Sequence, residues 1–189
     1  MKQHRWFEIL LVLIVMGISL YAALSDSQNL SWRWFTRDDA YYYFKVAQNI
    51  SEGHGSTFDG MNPTNGYHPL WMLICIPIFT LARINLTLPL RVLLLVMGGF
   101  SAATAILFYR LIGRIFTPAI GAIAALYWAF NYDILARIYE PGLETGIAVF
   151  FVVLLVYKVF EFETIWRKTQ VTNRQLLTLG LIAMCATLS

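Results

Sequence analysis

Apolar residues come in long blocks along this chain, separated by polar stretches of unequal length. Blocks near residues 6–24, 88–109, 118–132, 143–160 and 175–189 approach the ~20 residues a bilayer-crossing helix needs. Residues 25–87 form a polar stretch far longer than any other connection. Within it, Ala40, Tyr43, Phe44, Ala47 and Ile50 recur at helical spacing and predict an amphipathic helix over 38–52. Thr36 followed by Asp39 resembles a capping box for that helix. Gly53, Gly55, Gly60 and Gly66, with Asn62-Pro63-Thr64-Asn65, predict a turn-rich link. Segment 70–82 is apolar but short for a crossing, and Pro77 interrupts it. It reads as a helix lying at or dipping into the interface, the alternative being a true span. The pattern predicts an all-α membrane protein: a multi-span helical bundle with two interfacial helices in its first long loop.

Composition agrees. The chain is 58% hydrophobic and 13% charged, against about half apolar and a quarter charged for soluble domains. No basic run suggests nucleic acid. Cys75 and Cys185 lie inside apolar runs and imply no disulfide framework. The basic start at Lys2 and Arg5 precedes an apolar run too long for a signal-peptide core, so that run reads as a retained anchor. Basic residues favour the cytoplasmic side. Lys2 and Arg5, then Arg110 and Arg114, then Arg167, Lys168 and Arg174 therefore mark the inside, and residues 25–87 and 133–144 the outside. The six tryptophans, at positions 6, 32, 34, 71, 128 and 166, fall near span ends, as an interfacial aromatic belt would place them. Asn-x-Ser/Thr triplets at Asn29, Asn49 and Asn85 read as chance occurrences.

Candidate chemistry sits in the predicted outer loops. Asp38 and Asp39 are adjacent carboxylates just outside a span. They read either as a general base with an orienting or metal-binding neighbour, or as ordinary helix-capping acids. Glu144 stands at the mouth of an apolar block, a costly place for an unpartnered charge. It reads as a second acid facing Asp38, with Arg137 binding phosphate, or as half of an ion pair from Arg137 to Glu140 or Glu144. His68 could bind a phosphate oxygen or a metal, or be a plain loop residue. Tyr41, Tyr42 and Tyr43 could stack on a sugar ring, though interfacial tyrosine is ordinary. No Walker loop, HExxH, paired CxxC or serine nucleophile elbow is present.

In order, the acidic pair in Asp38-Asp39-Ala40-Tyr41-Tyr42-Tyr43, the His68-Pro69-Leu70-Trp71 element, Gly113-Arg114-Ile115-Phe116, and Glu144 in Gly142-Leu143-Glu144-Thr145 resemble the GT-C membrane glycosyltransferases. The protein O-mannosyltransferase and aminoarabinose transferase group looks most similar. Two departures stand out: one proline is missing after His68-Pro69, and Glu replaces the usual Asp at 144. The chain is also shorter than whole members and would be the N-terminal part of such a catalytic domain. The resemblance implies transfer of a sugar from a polyprenyl-phosphate carrier to an acceptor hydroxyl, at the outer face of a bacterial inner membrane. It implies Asp38 as base, Asp39 as orienting or metal-binding group, Glu144 as a further acid, and His68 and Arg137 as phosphate-binding cations. A divalent metal, held by Asp39 and Glu144, is the possible cofactor. A non-catalytic membrane module, such as a transporter subunit or assembly factor, is the alternative, as is an inactive fragment of such an enzyme.

Overall fold

The computed structural model describes the backbone of residues 2–189 and the side chains of 5–30 and 32–189. Its long elements are helices: α1 Lys2–Ala23, α3 Asp38–Ser51, α4 Pro69–Phe79, α5 Leu88–Ile115, α6 Pro118–Phe130, α7 Tyr132–Tyr139, α8 Thr145–Trp166 and α9 Asn173–Leu188. A short helix α2, Ser27–Asn29, runs into a π-helical turn at Leu30–Trp34, and a 3-10 turn, Thr80–Arg83, extends α4. Helices α1, α5 and α8 are long and apolar enough to cross a membrane, and α6–α7 makes a fourth candidate if the bent pair is one span.

Local signals set the helix ends. Pro118 occupies the first turn of α6, where its missing N–H costs nothing, and Thr117 caps the helix by accepting from the Ile120 N–H. Thr172 and Gln175 form a reciprocal capping box at the start of α9.

The membrane-length helices pack antiparallel. Arg91, near the start of α5, donates to the Ala23 carbonyl at the end of α1. At the opposite end Arg110 grips Glu8 through two hydrogen bonds of 2.7 Å. Between them Gly98 lets α5 approach Ser19 of α1. The backbones of α5 and α6 meet at Gly113 and Gly121. Helix α8 returns with Leu107 and Leu111 against Val153 and Tyr157. The bundle thus has one end carrying Glu8, Arg110 and Arg114, and another formed by 24–87 and 131–144.

That second end carries the main core. Ala40, Tyr43, Phe44 and Ala47 of α3 are buried, as the helical stripe predicts, and Ile50 is half-buried. They meet Trp71, Met72, Cys75 and Phe79 of α4. Helix α4 touches α3 at both ends: the His68 N–H donates to the Tyr43 hydroxyl at 3.0 Å, and Arg83 donates to the Ser51 carbonyl at 2.7 Å. Because α1 ends where α5 begins, segment 69–83 starts and finishes at the same end of the bundle.

Several expectations change. The block at 118–132 is not one straight span: α6 has 13 residues, about 20 Å of helix, and the chain bends by 52° into α7. Thr36 makes no capping box; Arg37 is the N-cap residue of α3 and makes no side-chain capping bond. Trp71 does not belong to an aromatic belt, for it is 1% exposed in the α3–α4 core. Asn49 is buried, its amide donating to the Thr57 and Phe58 carbonyls.

Candidate functional site

The turn between α7 and α8 docks on the beginning of α3. The Thr36 N–H donates to the Glu140 carbonyl at 3.0 Å. Gly142 adopts φ +63°, and a side chain there would strike Phe35 and crowd Ala40. Glycine is therefore required by both the left-handed backbone and the close approach. This docking places Asp38 and Asp39, in the first turn of α3, at the same end of the bundle as Glu144, which stands at the N-cap position of α8 without a side-chain capping bond.

Glu144 is the best-surrounded acid. One carboxylate oxygen lies 3.6 Å from His68 Nε2, with the side chains 18% and 50% exposed. Its Oε2 is buried and has no hydrogen-bond partner among the described residues, an arrangement that costs free energy in the folded protein. Burial raises the Tyr43 phenol above its ordinary pKa, and the nearby Glu144 charge adds to the rise. Burial and the same carboxylate push the Cys75 thiol up, so Cys75 stays protonated at neutral pH. The sequence offers Tyr43 as part of the apolar stripe of α3 and as one of three stacking candidates, not as a neighbour of Glu144. The contact of Tyr43 with His68 depends on the fold of the whole 52–67 link.

Asp38 and Asp39 are both exposed. Asp38 Oδ1 accepts from the Asp39 N–H at 3.1 Å, so the capping role weighed for the pair is partly present. Asp38 lines a cavity of about 420 Å³ with Tyr41, Tyr42, Lys45, Gln48, Phe58 and Phe79, among others. Glu144 does not line that cavity. The two acids share one end of the bundle but not one chamber. The two candidate stacking tyrosines are already engaged: Tyr41 donates to the Phe35 carbonyl at 3.1 Å. Tyr42 stacks on Phe58 at 5.3 Å and hydrogen-bonds Thr64.

Arg137 is exposed, and neither ion pair considered for it, to Glu140 or to Glu144, forms among the described residues. It lines a cavity of about 480 Å³ with Arg37, Asp133, Glu140, Pro141 and Thr145. Arg37 directly precedes Asp38, and Thr145 directly follows Glu144, but neither acid lines this cavity. Arg37 was not singled out in the sequence; its position beside Asp38 was the available signal. Among the described residues no three His, Cys, Asp or Glu side chains gather as a metal would require, and Asp39 and Glu144 belong to no such group.

In chemical terms this end of the molecule offers exposed carboxylates, a His–carboxylate pair and two arginines around an open cavity. Comparison of the chain with family models, curated proteins and solved structures finds no match.

Proposed function

We propose that this protein transfers a sugar from a polyprenyl-phosphate carrier to an acceptor hydroxyl at the extracytoplasmic membrane face. The observation that carries this reading is the docking of the 140–144 turn onto the start of α3. It brings Arg37, next in the chain to Asp38, and Arg137 into one cavity with Thr145, next in the chain to Glu144. Helices α3 and α4 would lie at the interface, over the carrier's lipid tail.

The chemistry needs a base and a cationic phosphate cradle. Asp38 takes the proton of the acceptor hydroxyl. The acceptor oxygen bonds to the anomeric carbon as the bond from that carbon to the phosphate oxygen breaks. The electron pair leaves with polyprenyl phosphate. Arg37 and Arg137 hold the phosphate and offset the charge that develops on it. His68, oriented by Glu144, supplies a further cation when protonated. Asp39 orients the acceptor.

The test uses the full chain in membrane vesicles. Polyprenyl phosphates carrying radiolabelled mannose or aminoarabinose are the donors, and envelope extract supplies the acceptors. Label moves to the acceptor fraction with the native protein. Asp38→Asn reduces transfer by at least 100-fold, the scale of general-base loss, while insertion into the membrane is unchanged. Transfer that survives in Asp38→Asn overturns the assignment of the base. No transfer from either donor, together with solute flux across the same vesicles, favours a transport module instead.

A further inference from the structure

The opposite end of the bundle holds a second charged cavity, which the transfer chemistry does not use. It measures about 470 Å³ and lies among four helices: Glu8 of α1, Tyr109, Arg110 and Arg114 of α5, Pro118 of α6 and Tyr157 of α8. Its wall is rigid, because α5 and α6 meet there backbone to backbone. A methyl group on Gly121 would lie 2.5 Å from the Tyr109 carbonyl oxygen and 2.7 Å from the Gly113 nitrogen. Tyr109 and Tyr157 are buried.

Among the described residues that line this cavity the charges do not balance. Arg110 is committed to Glu8 through both carboxylate oxygens. Arg114 makes no salt bridge among the described residues; its guanidinium lies 5.1 Å from the Tyr157 ring centre. Two guanidinium groups thus face one carboxylate, leaving one unit of positive charge beside an apolar helix surface. Exposed Ile115, Phe116 and Ile120 flank the cavity along the chain, so an occupant meets apolar side chains next to the cation.

We infer that this cavity binds the phosphodiester headgroup of an anionic phospholipid, with Arg114 as the principal contact and the acyl chains along the apolar flank. A cation between helices at the end of membrane-length segments is the chemistry that retains such headgroups. An arginine stacked on an aromatic face keeps its outer N–H groups free for phosphate oxygens. Glu8 opposes the anion, so this carboxylate weakens binding while it holds Arg110.

The full chain, purified in detergent, is titrated by native mass spectrometry with phosphatidylglycerol, phosphatidylcholine and inorganic phosphate. Phosphatidylglycerol is retained at least about tenfold more strongly than phosphatidylcholine, and inorganic phosphate is not retained. Arg114→Gln lowers phosphatidylglycerol affinity about tenfold, the scale of one charge-assisted hydrogen bond. Glu8→Gln raises it, a gain that misfolding cannot imitate. Arg167→Gln, outside the cavity, leaves it unchanged. Equal retention of the two lipids, or an Arg114→Gln protein that binds like the native one, overturns the inference. Binding of inorganic phosphate as strong as that of the lipid overturns the lipid as occupant.

Discussion

Two glycines with positive φ separate the backbone and packing parts of the site. Gly142 (φ +63°) has Phe35 and Ala40 against it, whereas Gly60 (φ +81°) faces open space. Gly60→Ala therefore costs only left-handed strain, about 1 kcal/mol. Gly142→Ala adds overlap with Phe35 and costs about 2–4 kcal/mol. It also pushes Glu144 away from the start of α3. Thermal unfolding in detergent separates the two variants, and transfer activity falls only in Gly142→Ala. Equal melting temperatures would show that the turn does not bear on α3. At this scale the acids were legible as candidates, because carboxylates beside apolar runs stand out. The neighbours of each were not. Thr36 looks like a cap, but its N–H goes to Glu140, more than a hundred residues away. Trp71 looks like a belt residue until the α3–α4 layer closes over it.

Among the elements, α5 is the organiser, since α1, α6 and α8 all pack on it. Its glycine contact with α6 is tight: the three atoms nearest a Gly121 methyl, at 2.5–2.8 Å, are backbone, which cannot rotate aside. Gly121→Ala should destabilise the bundle by about 1–3 kcal/mol, read as a lower midpoint in detergent unfolding. Gly99→Ala, with nothing within 4 Å, should leave it unchanged or slightly raised by better helix propensity. If both behave alike, the α5–α6 seam is looser than described. The long apolar blocks exposed α1, α5 and α8 in the sequence because lipid and core demand the same residues. The break between α6 and α7 was hidden because no proline or glycine marks it. Asn131 makes it, its side chain accepting from the Ile134 N–H and starting a new helix.

For the molecule as a whole, the decisive feature is that segment 69–83 returns to the end it left. Single cysteines at Met61, Leu86 and Phe116, all exposed, test this with a membrane-impermeant maleimide on sealed vesicles. Met61→Cys and Leu86→Cys should react from the same side, and Phe116→Cys from the other. Met61→Cys and Leu86→Cys labelled from opposite sides would make α4 a crossing and send Glu144 away from Asp38. In the sequence, segment length and the distribution of basic residues favour an interfacial segment over a crossing, and the labelling decides between the two. The contacts of Arg83 with Ser51 and Arg91 with Ala23 tie the ends of this region to its neighbours.

The antiparallel α1–α5 pairing sets an order of events during synthesis. Helix α1 is synthesised before its partner α5, with residues 24–87 between them. Until the later helices are made, Ser19 lacks both Gly98 at its side and the Tyr139 hydroxyl, 3.0 Å away in the finished protein. The nascent first helix must wait, held by lipid or by the insertion machinery, while its companion is still on the ribosome. Shortening the intervening polypeptide would abbreviate that wait, but only by removing the layer that carries Asp38.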